Sequence, residues 1–305
     1  MAKYIARRLM WMLLTLFVVA FITFFLMHLV PGGPWDREKE LSPQVIENLN
    51  QKYGLDKPLF VQFGSYIWNA VNGDLGISYV HQDRGVTDII LGGLPVTATL
   101  GLMAFAMAII VGVSLGIAAA LKQNSVVDYF SVAYATVFAS VPSFVLGIFL
   151  MYVLAVQFHW FPTGGWGGIQ HIIMPAVALA ALPAAYTARI TRASMLEVIR
   201  QDYVRTARAK GLSERVVLVR HISRNAFIPV VTIAGPELAA LISGSFIIET
   251  LFSIPGIGRL FVQGVFQRDY GLIMGAILFY AFIVALVNLI VDIFYAVIDP
   301  RIRYD

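Results

Sequence analysis

Six apolar runs, each long enough to cross a lipid bilayer, decide which solvent this chain can fold in. The first is Leu9 to Val30, preceded by Lys3, Arg7 and Arg8. Others follow at Val96–Leu121, Tyr129–Phe158, Ile172–Ile190, Ala226–Leu251 and Leu272–Ile298. A helix needs about 20 apolar residues to span hydrocarbon, and in lipid a helix satisfies its own backbone. The expected fold is therefore an all-α polytopic membrane protein with six transmembrane helices. Composition agrees: 59% of residues are hydrophobic and 13% charged, against about 25% charged in a soluble domain, and mean hydropathy is +0.77. The first run is longer than a secretory signal's core of about 7–15 residues and ends in PGGP instead of a small-residue cleavage site. It reads as a span.

Six spans put both termini on one side, and the basic residues say which. With the N-terminus inside, fifteen of the 22 Lys and Arg fall in inner segments. The outer segments keep only Arg37, Lys39, Lys52, Lys57, Arg84, Arg259 and Arg268. Cytoplasmic loops carry this excess, so both ends are expected in the cytoplasm. The net charge of +4 follows from that bias and calls for no nucleic-acid partner.

The longest inner segment, Ile190 to Pro229, is polar and basic yet keeps an apolar stripe. Leu196, Ile199, Tyr203 and Ala207 recur at helical spacing on one face. Gly211 suits a positive-φ helix end, and Ser213 with Glu214 suits the start of a second helix. The reading is a helix–turn–helix between two spans, whose stripe needs a surface to lie against. That points to a docking element for a cytoplasmic partner.

Two stretches in this segment, YVRTARAKGL and RHISRNAFIP, resemble the cytoplasmic "EAA" loop of ABC-importer permeases, in the variant typical of peptide importers. The general pattern is matched at Ala207 and Gly211. Arg205 stands where it has Glu, and Pro229 is displaced from its usual place. The resemblance continues elsewhere: PGGP, YGLDKPL and GDLGISY follow the first span in the order found in oligopeptide and dipeptide permeases, and IPGIG and DPRIRY match further on. It implies a type I ABC importer permease fold, with residues 1–95 as first span plus extracytoplasmic helical segment. Residues 96–298 would be the five-helix core containing a coupling loop at 192–225, and 299–305 a cytoplasmic tail. It implies a coupling helix carrying Tyr203, Thr206, Ala207, Ala209, Lys210, Gly211, Leu212 and His221 toward an ATPase. It also implies an external gate loop at Pro255, Gly256 and Gly258.

The implied partners are a homologous second permease, two ABC ATPase subunits, an extracytoplasmic peptide-binding protein, the peptide itself and the lipid bilayer. ATP and Mg would be used by the ATPases, and this chain would bind no cofactor. The membrane would be the bacterial or archaeal plasma (inner) membrane.

Other residues sharpen or limit that reading. Pro31 to Pro95 is the one sizeable outer region. Ser42-Pro43 starts a helix carrying Val45, Leu49 and Tyr53 to a stop at Gly54, and a second places Phe60, Phe63, Ile67 and Val71 on one side. Gly101, Gly112 and Gly116 permit close helix contact. Pro142, Pro175, Pro183, Pro229 and Pro236 mark helix bends beside a cavity. Glu237, Ser243 and Ser245 in the fifth span are candidate pathway residues, with Glu237 equally open to pairing with another helix. Asn288 and Asp292 lie in the sixth. The apolar residues around IPGIG suggest a loop that dips back.

Catalytic and metal chemistry find no pattern. There is no cysteine, and the five histidines (His28, His81, His159, His171 and His221) show no metal-ligand spacing. No phosphate-binding GxxxxGK[ST] occurs, and the GxSxG spacing at Gly112 to Gly116 falls inside an apolar run, so it forms no strand-to-helix elbow. The expected role is a non-catalytic permease subunit driven by an external motor. The alternative is a stand-alone proton- or ion-coupled secondary transporter using Glu237 and Asp292, a class that usually shows inverted repeats; none is evident in this sequence.

Overall fold

Long apolar segments without competing polar groups become long helices. In the computed structural model, residues 2–35, 42–81 and 84–298 are described. The tail at 299–305 and the side chain of Asp292 lie outside them. Helix α1 is Ala2–Leu29, α2 Pro43–Tyr53, α3 Leu59–Val71 and α4 Val86–Leu121. Then come α5, Val126–Ser140, and α6, Ser143–Gln157, followed by α7, Ile169–Ile199, and α8, Asp202–Ala209. Helix α9 covers residues 214–226 with a π-helical stretch at Val217–Ile222. The remaining helices are α10 (Ile228–Ile242), α11 (Phe246–Leu251), α12 (Ile257–Phe266) and α13 (Tyr270–Ile298).

Among the described residues five helices are long and apolar enough to span, and the pair α5–α6 makes a sixth. That pair is bent by 103° at Val141-Pro142, as expected of a proline that cannot donate its hydrogen bond. Pro175 and Pro183 behave otherwise: both sit inside an uninterrupted α7. The fifth span is broken too, at Ser243-Gly244-Ser245 between α10 and α11, where Gly244 has φ +92°.

Helix ends differ from the apolar runs for a common reason. Helix α4 starts at Val86, ahead of the run, because Val86 and Ile90 are buried against Ile257, Leu272 and Ala276. Helix α7 continues past Ile190 to Ile199 because Met195 has protein to pack on. Neither extension needs lipid.

Two units divide the chain, Met1–Thr97 with Pro255–Asp305, and Ala98–Ile254. In the first, α2 ends at Gly54 with φ +67° as anticipated, although the Ser42 side chain makes no capping bond. Helix α3 buries Phe63 against Phe17, Phe21 and Phe24 of α1. Phe60 and Val71, expected on the same side, are exposed, although the Phe60 ring still meets Phe25 of α1. After the fifth span a turn leads into the ten-residue helix α12. Its first amide, Ile257 N, donates to Thr97 Oγ1 at 2.9 Å.

In the second unit, small residues let helices touch backbone to backbone. A Cβ on Gly112 would lie 2.8 Å from the Ala184 carbonyl, and one on Gly116 would lie 2.7 Å from that of Ala188. Gly101 likewise has no room beside the Leu241 carbonyl. In a membrane such packing replaces the hydrophobic effect as the source of helix association.

Candidate functional site

The helix–turn–helix forms where it was expected, but its apolar residues have a different use. The sequence put Leu196, Ile199, Tyr203 and Ala207 on one helical face. The structure breaks that helix at Arg200-Gln201, between α7 and α8. After the break Val204 and Ala207 turn inward, with Ala207 only 4% exposed. They pack with Ala120, Met195, Val217, Ile222 and Ala226, and Leu196 and Ile199 join from α7. The loop therefore carries its own core. Ala207 anchors helix α8 from inside and is not part of its outer surface.

That anchoring leaves Tyr203, Thr206, Ala209, Lys210, Gly211 and Leu212 exposed, with His221 half-buried. Gly211 has φ +77°, the left-handed conformation that glycine adopts without steric cost. Ser213 precedes α9 without capping it by its side chain. Instead Glu214 closes the turn, accepting from Arg208 Nε at 2.9 Å and Nη2 at 3.2 Å. Asn225 Nδ2 donates to Tyr203 Oη at 2.7 Å, joining the two ends of the loop. The result is a preformed, mostly polar surface on an apolar base, suited to being pushed as a body.

Above this loop lies an ion pair with no sequence signal. Arg192 grips Asp128 with two bonds, Nε to Oδ1 at 2.5 Å and Nη2 to Oδ2 at 2.8 Å. Asn124 N adds a third at 2.9 Å. Asp128 is almost wholly buried, so the fork geometry and the extra donor offset its desolvation. Sixty-four positions separate the partners, and no local pattern could have joined them.

The candidate pathway residues are placed less uniformly. Glu237 is half-buried and faces Thr187 of α7. Among the described residues, neither Glu237 Oε2 nor Thr187 Oγ1 has a partner at ordinary hydrogen-bond geometry. Ser243 donates to its own helix at Ala240 O, and Ser245 caps α11 by accepting from Ile248 N. Both serines thus serve the break in the fifth span. Of the gate residues, Gly256 and Gly258 are buried and Pro255 is exposed.

A polar knot on Asp269 holds GDLGISY, and the sequence reading passed over it. Asp269 is fully buried. It accepts from the Ser78 hydroxyl, from Tyr79 N at 3.0 Å and Val80 N at 3.3 Å, and from Leu272 N at 3.1 Å in the first turn of α13. Burial first, and then the Asp269 carboxylate, push the Tyr79 phenol above its ordinary range. Gly271 gives way to the Ile77 carbonyl, where a Cβ could not fit. His81 also reaches Ser78, its Nδ1 lying 3.2 Å from Oγ. This Ser/His/Asp group is bound into the fold: the serine hydroxyl donates to a carboxylate that three backbone amides already share. An Asp just ahead of a long apolar run was the one available hint, as an N-cap signal.

Among the described residues no three His, Asp or Glu side chains come together as a metal site. His28 lies 2.8 Å from the Phe24 carbonyl through Nδ1 and packs on Tyr270.

Comparison with known proteins covers the whole chain. Residues 112–304 match the family described as "Binding-protein-dependent transport system inner membrane component". Residues 1–101 match that family's N-terminal region. The chain is 44% identical over 306 residues to the oligopeptide transport system permease protein OppB of Escherichia coli (strain K12), covering all of both chains. It is 41% identical over 303 residues to the dipeptide transport system permease protein DppB of Bacillus subtilis (strain 168), covering 99% and 98%. A solved structure of the MetNI methionine ABC transporter, in an inward-facing conformation, superposes with a TM-score of 0.57 at 16% identity. It covers 69% of this chain and 96% of that one, a likeness of fold.

Proposed function

Since the chain belongs to the inner-membrane components of binding-protein-dependent transport systems, we propose that it forms half of a translocation pathway for peptides, moved by its cytoplasmic loop. It is the permease component of an ATP-driven oligopeptide or dipeptide importer, a non-catalytic, multi-pass inner-membrane protein that binds no cofactor. ATPase subunits and a binding protein complete such a system. The finer assembly is our reading: one homologous second permease and two ABC ATPases, with both termini of this chain in the cytoplasm. Residues 1–95 act as first span plus external segment, 96–298 as the core with its coupling loop at 192–225, and 299–305 as the tail.

The observation that supports this most is the loop's division of labour, with Val204 and Ala207 in its core and Tyr203, Thr206, Ala209, Lys210, Gly211 and Leu212 outside. An element that has satisfied its own apolar surface can enter a partner's cleft without losing shape. When ATP draws the two motor subunits together, the exposed face would be carried with them. The force passes through the shared core into α7, and the spans rock between inward- and outward-facing states. The bends at Pro142 and Gly244 are suited to absorbing the change. Glu237 lines the pathway in this reading, and Pro255, Gly256 and Gly258 form the turn at its outer gate.

Proteoliposomes test the reading. The chain with its partner permease, ATPases and binding protein should import peptide with ATP. Peptide uptake by this chain alone on a proton gradient would overturn it. So would labelling of Lys210 from outside intact cells by an impermeant reagent.

A further inference from the structure

Helix α7 is the most enclosed of the five long spans, with 61% of its apolar window buried. One narrow strip stays open. Leu182, Tyr186, Arg189 and Ala193 are exposed and follow one another at four, three and four positions, so they share a face. The strip begins apolar and ends cationic.

The two arginines at this level of α7 are in opposite states. Arg192 is neutralised by Asp128. Arg189 has no carboxylate within ion-pair distance among the described residues. Its Nη2 donates to the Ala135 carbonyl at 3.3 Å, and its guanidinium lies 5.7 Å from the centroid of the Tyr186 ring. These contacts orient the fork without neutralising it, and its other N–H donors remain unspent. Beside it is a groove of about 350 Å³ between α5 and α7, which Ser131, Thr136 and Ala188 also line. Arg189 stands at the inner end of the apolar run Ile172–Ile190, where a long cationic side chain reaches water, and its fork lines this groove. On the peptide-import reading the groove is part of the cargo's path.

We propose that Arg189, oriented by the Ala135 carbonyl and the Tyr186 ring, receives the C-terminal carboxylate of the cargo peptide. This rests on the peptide-import reading. A carboxylate is present on every free peptide whatever its side chains, and a guanidinium fork matches it with two parallel hydrogen bonds. One residue thereby recognises cargo without selecting sequence.

The experiment uses the complete transporter in proteoliposomes, with tri-alanine and tri-alanine amide as probes. Arg189→Gln should lower ATP-driven uptake of the free acid roughly tenfold and leave the amide within about twofold of wild type. Arg189→Lys should restore part of the loss. Because the binding protein can reject the amide, a second readout stands beside uptake. Phenylglyoxal modification of Arg189, read by peptide mapping, should be slowed by 10 mM tri-alanine (about the concentration a weak site requires) and not by its amide. Equal loss of both peptides, no loss of either, or no protection by the acid overturns the proposal. So does an Arg189→Gln defect that vanishes in vesicles lacking anionic lipid, which would make the groove a headgroup site. A wild-type complex that imports no peptide at all would instead sink the functional reading on which this rests.

Discussion

The loop between α7 and α10, which we propose docks an ATPase, and the GDLGISY segment are both polar stretches outside the spans, and they are held by opposite means. The docking loop is built on aliphatic contact: Val204, Ala207, Val217, Ile222 and Ala226 are all buried, and its polar links are on the surface. The outer segment is built on one buried carboxylate, Asp269, to which a hydroxyl and three amides donate. Apolar contact is non-directional and tolerates small shifts of the whole body. A ring of directed hydrogen bonds fixes one geometry and fails as a unit. The first suits an element that transmits motion, the second one that must stay attached to the start of α13.

Substitutions can break this contrast. Asp269→Ala should have the largest effect, removing the carboxylate that accepts from the Ser78 hydroxyl and from the Tyr79, Val80 and Leu272 amides, at a cost of about 3 kcal/mol or more. Thermal unfolding in detergent and protease cutting between residues 73 and 81 would report it, with Asp269→Asn recovering part. Unchanged protection would mean that the Gly271 packing holds the segment. Ala207→Leu comes next: overfilling the loop core should cost about 1–3 kcal/mol and abolish ATPase co-purification while membrane insertion persists. Normal co-purification would remove the anchoring role.

Smaller effects separate surface from core. Gly211→Ala should cost about 1 kcal/mol through its left-handed backbone alone, since nothing lies within 4 Å of the added Cβ. Leu212→Ser, on the exposed face, should leave the unfolding temperature unchanged and still weaken ATPase binding severalfold (about 1 kcal/mol for an exposed apolar contact). If its loss tracks stability instead, the outer face is not the docking surface. Glu214→Ala removes an exposed pair and should cost at most about 0.5 kcal/mol. A large effect there would show that the turn depends on the Arg208 bridge and not on the core beneath it.

Legibility differed from residue to residue. Gly54 and Gly211 were readable as helix stops because a glycine after an amphipathic stretch has a local meaning, and both have positive φ. Gly112 and Gly116 were readable as contact points from their small-residue setting. Ser42 and Ser213 were readable as positions but not as bonds, since neither side chain caps. The inward turn of Ala207 was hidden because the break at Arg200-Gln201 rotates α8 relative to the stripe on α7. Tyr186 and Arg189 carried no signal beyond a positive inner end, since their exposure depends on what α4 and α5 cover.

Local chemistry alone determined the apolar runs, the basic bias of the segments between them and the place of the helix–turn–helix, because lipid makes every stretch of about 20 apolar residues answer for its own backbone. The tertiary structure decided which prolines interrupt a helix and which ride inside an unbroken one: Pro142 turns the chain by 103°, whereas Pro183 does not break α7. It also decided that Asp128 meets Arg192 and that Ser78 meets Asp269, 191 positions away. Such pairs exist only once distant segments return to one another, and the lone charge on Arg189 is visible only against the one that Asp128 has cancelled.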